Sequence, residues 1–188
     1  MEIIVASGNK NKIREIGQML SGKAEVRGMS DYGVNVEIEE NGSTFLENAL
    51  IKAKAVSEIL GKPVIADDSG IVAEALGDAP GIYSARYAGE GKDDEENNKK
   101  LISELKGKSK RAYFISVIVL YYPDGSYIFG EGRAYGSVID EKRGNNGFGY
   151  DPIFLSDDLE KTFGEASAEE KNGVSHRYRA LCDLMSKL

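Results

Sequence analysis

Val64-Ile65-Ala66-Asp67-Asp68-Ser69-Gly70 is the stretch from which the rest of the chain can be read. The apolar residues after Pro63 predict a buried strand over 63–66. That strand runs directly into two aspartates and a Ser-Gly pair, which predict a turn. Ligands of α/β proteins favour the carboxyl ends of strands. Adjacent carboxylates repel and are costly unless a cation or a donor compensates them. On an extended chain their side chains point to opposite faces, so one can serve a site while the other holds the turn. A plain turn closed by side-chain hydrogen bonds is the ordinary alternative.

Upstream, residues 2–6 (Glu-Ile-Ile-Val-Ala) read as a buried strand, Ser7-Gly8-Asn9 as a turn, and residues 10–20 as a helix with Ile13, Ile16 and Leu20 at helical spacing. Residues 34–38 alternate weakly, as a short strand does. Thr44-Phe45-Leu46-Glu47 fits a capping box that opens a helix to about Leu60, with Gly61 as its stop. Downstream, residues 77–91 form a Gly-rich loop region, and residues 93–105 a helix whose acidic start suits the helix dipole. Residues 111–122 and 126–135 read as strands joined at Pro123-Asp124-Gly125, a hairpin signal. Residues 137–154 are loop-rich, and Ser167 and Ser175 each occupy an N-cap position before a helical start. Strands alternating with helices, then a late hairpin, predict an α/β fold with a mixed central sheet flanked by helices.

At 188 residues the chain is expected to be a single domain over 1–188, with no repeat and no separable linker. A net charge of −7 argues against nucleic-acid or membrane partners, which demand a basic face. The longest apolar run is too short to span a bilayer, and Met-Glu-Ile-Ile-Val lacks the basic flank of a signal peptide, so a cytoplasmic location is expected. Cys182 is the single cysteine and His176 the single histidine. A Cys-rich or multi-histidine metal centre is thereby excluded. Any metal must rest on carboxylate oxygens, which suits Mg²⁺, with Mn²⁺ as a possible substitute.

Four further segments carry chemistry. In Ser7-Gly8-Asn9-Lys10-Asn11-Lys12 a strand gives way to a helix start whose first amides are natural phosphate partners, and Lys12 adds a point charge. The ordinary alternative is a capped helix with exposed lysines. Glu37-Ile38-Glu39-Glu40 is an acidic turn, or, through Glu39, a source of a metal ligand. Gly144-Asn145-Asn146-Gly147-Phe148-Gly149-Tyr150-Asp151-Pro152 interleaves aromatics with glycines, a poor core element but a good base-stacking surface; a Gly-rich loop anchored by two aromatics is the ordinary alternative. Lys171, His176 and Arg177 cluster at a helix start and together make a better anion site than any one of them alone.

In this order the segments resemble the non-standard purine NTP pyrophosphatase family, also called the inosine triphosphate pyrophosphatase family. The resemblance rests on Ser7-Gly8-Asn9-x-x-Lys12-x-x-Glu15, Thr44-Phe45-Leu46-Glu47-Asn48-Ala49 with Lys52 and Lys54, Asp67-Asp68-Ser69-Gly70, the run from Ala79 to Tyr87, Gly147-Phe148-Gly149-Tyr150-Asp151-Pro152, and Ser175-His176-Arg177. Each motif is weak alone; six in register are specific. Ser7, where many members carry threonine, keeps the hydroxyl.

The resemblance implies a long mixed sheet dividing two lobes with an active-site cleft between them, a homodimer, and hydrolysis of dITP/ITP and XTP/dXTP to the monophosphate and pyrophosphate. It implies Mg²⁺ on Glu39 and Asp68, with Asp68 as proton acceptor. Asp67 is left to support the turn. Lys12, Lys52 and Lys171 would neutralise the triphosphate, and Ser7, Gly8, Asn9, Lys10, Asn11 and Ser69 would line it. Phe148 would stack on the purine beside Gly149, Tyr150 and Asp151, with His176 and Arg177 near base or phosphates. Three rivals stand beside it: a nucleotide-binding regulatory module without turnover, a pyrophosphatase for modified pyrimidine or methylated nucleotides, and a purely structural role, which leaves the lysine and carboxylate clusters without a purpose.

Overall fold

The computed structural model describes residues 2–188. Six strands form one mixed sheet in the order β2-β1-β3-β4-β5-β6. They are β1 (Glu2–Val5), β2 (Glu25–Gly28), β3 (Val64–Ala73), β4 (Arg111–Tyr121), β5 (Tyr127–Val138) and β6 (Phe154–Ser156). β1 pairs in parallel with both β2 and β3, whereas β5 and β6 are antiparallel. Among the described residues five α-helices accompany them: α1 (Lys10–Met19), α2 (Phe45–Leu60), α3 (Asp94–Glu104), α4 (Ala168–Val174) and α5 (His176–Met185). The predicted α/β class with a mixed sheet is what the chain adopts.

The chain divides into two compact units. The first comprises Met1–Asp68, Ser116–Gly132 and Arg177–Leu188, and the second Ser69–Ile115 and Arg133–His176. The first has two apolar clusters. One gathers Ile4, Val56, Val64 and Val119 with Ala49 and Ala53 of α2; the other gathers Val5, Ile16, Leu20, Ile65 and Ile118 with Leu181 and Leu184 of α5. The second unit has one cluster, of Ile71, Leu101, Leu105, Phe114, Ile153, Phe154 and Phe163. Full burial of each such side chain contributes roughly 1.5–3 kcal/mol.

Local signals set the helices. The Asn9 side chain caps α1 by accepting from the amides of Asn11 and Lys12. Thr44 caps α2 by accepting from Glu47, and Gly61 ends it in the left-handed conformation at φ 63°. The Glu47 carboxylate reaches the Ser43 amide at 2.6 Å, one residue before the position that a capping box uses. A complete capping box does open α4, between Ser167 and Glu170.

Three expectations fail. Residues 34–38 form no strand, because their weak alternation finds no neighbouring chain to pair with. The region read as loop-rich over 137–154 contains the end of β5 and the start of β6. Most consequential, β3 does not stop at Ala66. It runs through both aspartates to Ala73, with every residue buried except the half-buried Ser69. The predicted turn at Asp67-Asp68-Ser69-Gly70 is therefore a mid-strand segment, and Asp67 supports no turn. An unbroken strand can carry acids through its interior only if their side chains find partners there.

Candidate active site

In the first unit, Asp67 and Asp68 are 1% and 6% exposed and point to opposite faces of β3. Asp67 Oδ1 accepts the hydroxyl of Ser116 on β4. Asp67 Oδ2 lies 2.8 Å from Lys12 Nζ and 3.1 Å from Arg177 Nη2. Arg177, also buried, forms a second ion pair with Glu15 of α1. Burial would raise the Asp67 carboxyl, but Arg177 and Lys12 outweigh it and hold the group well below the usual carboxylate range. Burial likewise opposes the charge on Arg177, and Asp67 and Glu15 raise it regardless. Asp67 is an ionised structural anion clamped by two cations.

Asp68 faces a different setting. Its Oδ1 lies 3.1 Å from Lys52 Nζ, and Lys52 Nζ lies 2.9 Å from Glu40 Oε1. Asp68 Oδ2 is buried with no hydrogen-bond partner. Burial pushes the Asp68 carboxyl up, against the pull of Lys52 and Lys12, and the Glu40 charge adds to the rise. A raised carboxyl is a stronger base than an exposed one. Lys52 Nζ also donates to the Asp67 carbonyl oxygen at 2.9 Å, and Lys12 Nζ donates to the same oxygen at 3.4 Å. Two ammonium groups, from α1 and α2, thus converge on one point of β3 beside a carboxylate with an unspent oxygen. The arrangement can draw a polyanion and take up a proton.

Of the other predicted residues of this unit, Ser7 accepts from the Asn9 amide at 3.0 Å, and Gly8, Asn9 and Lys10 are exposed. The expectation of open helix amides is corrected here: Asn9 Oδ1 occupies those of Asn11 and Lys12, at 3.0 and 3.3 Å. Glu39 is exposed, and its neighbour Glu40 is the carboxylate that reaches Lys52. Among the described residues no group of three or more His, Cys, Asp or Glu side chains is placed to hold a metal ion.

In the second unit, Phe148 is half-buried with Lys171 Nζ 4.9 Å from its ring centroid. Lys171 is 4% exposed and pairs with Asp151 at 2.6 Å; Asp151 Oδ2 also accepts the Phe148 amide at 3.0 Å. Gly147 has φ +71°, and a Cβ there would collide with the Asp151 carboxylate, so only glycine serves. Tyr150 is buried and its hydroxyl donates to the Ser84 carbonyl at 2.6 Å. His176 is buried, its ring stacked on Phe114 at 4.7 Å. The predicted open anion cluster of Lys171, His176 and Arg177 is corrected accordingly. All three are buried: Lys171 pairs with Asp151 and Arg177 with Glu15 and Asp67, as buried cations must, while the His176 ring stacks on Phe114.

Sequence reading gave no role to Ser116, placed Glu15 only within the N-terminal motif, and preferred Glu39 to Glu40 as a metal ligand. Ser116 had a signal, a lone hydroxyl between apolar neighbours in a strand of eleven residues. Glu15 had one too, an acid next to Ile16 on the apolar side of α1. Glu40 differed from Glu39 by nothing that a sequence shows.

The fold is α/β, and its central strand carries a buried carboxylate with an unpaired oxygen within reach of a lysine. The sequence pattern of the Ham1 family matches residues 3–187, and the chain belongs to that family. It is 47% identical to the dITP/XTP pyrophosphatase of Desulfotalea psychrophila, over 98% of this chain and 84% of that protein. It is 46% identical to the dITP/XTP pyrophosphatase of Bacillus subtilis, over 100% and 96%. Among solved structures, the Ham1 protein of Staphylococcus aureus matches with a TM-score of 0.88 at 44% identity, covering 100% of this chain and 97% of that one. A HAM1 protein from Coxiella burnetii matches at 0.89 and 38%, covering 100% and 98%.

Proposed function

We propose that this chain is a hydrolase that cleaves non-standard purine nucleoside triphosphates, dITP/ITP and XTP/dXTP, to the monophosphate and pyrophosphate, clearing them from the nucleotide pool. Its full-length relatives carry the name of that activity. The observation on this chain that carries the reading is Asp68, a buried carboxyl raised by its surroundings, with Oδ2 unpaired, beside Lys52 and Lys12.

The residues fit a divalent ion. A buried, unpaired carboxylate oxygen next to the acidic 39–40 segment is a hard-cation donor set, and few protein ligands suffice where substrate phosphates supply the others. Asp68 and Glu39 would hold Mg²⁺, or Mn²⁺ in its place; Glu40 is committed to Lys52. When bound, the ion screens the triphosphate charge and favours attack at phosphorus.

The chain's own residues do the remainder. Asp68 accepts a proton from water as the water oxygen bonds to the α-phosphorus. The bond from that phosphorus to the bridging oxygen breaks, and pyrophosphate leaves. Lys12 and Lys52 neutralise the charge that builds on the leaving group. Ser7, Gly8, Asn9, Lys10 and Asn11, with Ser69, line the phosphates. Arg177, with Ser116, fixes Asp67 and so the strand that carries Asp68. Phe148 stacks on the purine, with Gly149 and Tyr150 shaping its loop; Lys171 and Asp151 support it from beneath, and His176 packs on Phe114 in the same unit. A pocket that donates to the 6-oxo group of hypoxanthine or xanthine leaves those donors unpaired against adenine.

The whole chain acts as one pyrophosphatase domain, a reading supported by the continuous family match over 3–187. Among the described residues no helix is long and apolar enough to cross a membrane. A cytoplasmic homodimer without nucleic-acid or membrane partners completes the proposal, and sedimentation tests the dimer. Pyrophosphate release from ITP, XTP, dUTP and GTP, with and without Mg²⁺, tests the activity. Mg²⁺-dependent release from ITP and XTP supports it; a preference for dUTP or no turnover refutes it.

A further inference from the structure

The loop that carries Phe148 is held from a helix to which the reaction gives no part. Asp94 and Asn98 lie four residues apart on α3 and so share one face of it. Asp94 Oδ2 accepts the amide of Gly149 at 2.9 Å, and Asn98 Nδ2 donates to the carbonyl of the same Gly149 at 3.3 Å. Both sides of one residue are thereby gripped, at the position directly after Phe148 and in the left-handed conformation at φ 61°.

The helix behind the grip is itself fixed. Leu101 and Leu105 at its far end lie in the core of this unit, and Asn97 donates to the Ala85 carbonyl at 3.0 Å. Asn98 is 3% exposed, yet its Oδ1 is buried with no partner. A buried amide that leaves its oxygen unpaired costs stability, and a leucine of similar volume would avoid the cost. What the amide does supply is the bond to Gly149.

We propose that Asp94 and Asn98 are positioning residues that fix the Phe148 ring for the substrate base by clamping Gly149. The proposal rests on the stacking role given to Phe148 above. The clamp acts on binding of the base and not on the phosphorus chemistry, so it separates KM from kcat.

The test is ITP steady-state kinetics and thermal melting for the wild type, Phe148→Ala, Asn98→Leu, Asp94→Ala and Asp94→Asn, with the double variant Asp94→Ala/Phe148→Ala. Loss of one net hydrogen bond corresponds to a change of about five-fold. Asn98→Leu and Asp94→Ala are each expected to raise KM about that much, with kcat within about two-fold. Asn98→Leu should melt at or above the wild type, which a purely structural asparagine would not allow. Asp94→Asn keeps an acceptor oxygen and should recover most of the lost affinity. In the double variant, Asp94→Ala should add nothing once the ring is gone.

A raised KM for Phe148→Ala with unchanged KM in the α3 variants overturns the clamp and leaves the stacking role standing. Additive effects in the double variant overturn it equally. An unchanged KM for Phe148→Ala sinks the stacking role first and this inference with it. If Asn98→Leu fails to fold, the Asp94 pair and the double variant decide the matter.

Discussion

The Asp67 cluster of the first unit and the Phe148 loop of the second solve the same problem, fixing a polar segment, by opposite means. Around Asp67 the work falls to side-chain charges: Glu15, Arg177, Asp67 and Lys12 alternate in sign and are buried or nearly so. Around Phe148 it falls largely to backbone groups, with the amides of Phe148 and Gly149 and the carbonyl of Gly149 each taken by a side chain. Removing one member of the first group strands a buried charge. Removing Asp94 or Asn98 from the second loosens a loop. The first is therefore brittle, with damage to folding and turnover, and the second is graded, with damage to affinity.

The sharpest way to break that contrast is Arg177→Leu. It leaves Glu15 and Asp67 facing each other without their shared cation, and should cost about 3–5 kcal/mol in urea unfolding. A loss under about 1 kcal/mol would mean that the cluster is not held by charge. Next comes Asp68→Asn, which removes the proposed proton acceptor with little change in shape. Turnover of ITP should fall at least ~10²-fold with the melting temperature nearly kept; near-normal turnover would take Asp68 out of the chemistry. Phe148→Ala should raise KM about ten-fold and leave kcat close to the wild type, the scale of one lost stacking contact. A fall in kcat with KM unchanged would place the ring in the chemistry and not in binding.

The smallest effect belongs to a surface pair outside both regions. Arg111 binds Asp157 through two contacts, at 3.0 and 2.8 Å, and hydrogen bonding to Arg111 holds the Asp157 carboxyl below its ordinary value. A depressed carboxyl contributes stability above its unfolded value, near 3.8, and loses it as pH falls through the folded value. Asp157→Asn should cost only a few tenths of a kcal/mol at neutral pH, because solvent screens the pair. The difference between the two proteins should vanish in acid. A difference that persists there would assign the effect to packing.

How far the sequence could be read follows the same division. Helix limits were legible because caps are local: Thr44 and Gly61 bound α2 where their residue types require it. The α/β class was legible from the order of the apolar runs. The course of β3 was not, since two aspartates and a Ser-Gly pair read locally as a turn, and the partners that keep them in the strand come from Lys12, Lys52, Ser116 and Arg177, far away in the chain. The residues around Asp68 were legible as motifs, but the spending of Asn9 on its own helix and of Arg177 on two carboxylates was not. Spacing shows which side chains are near a helix start, and only packing shows what they touch. Asp94 and Asn98 gave no local signal, because the acidic start of a helix is accounted for by its dipole alone.

The central claim, attack of water on the α-phosphorus beside Asp68, is tested most directly by turning over ITP in heavy-oxygen water and weighing both products. The account predicts inosine monophosphate carrying one heavy oxygen and pyrophosphate carrying none. Heavy oxygen in the pyrophosphate, or release of orthophosphate with inosine diphosphate, would contradict it.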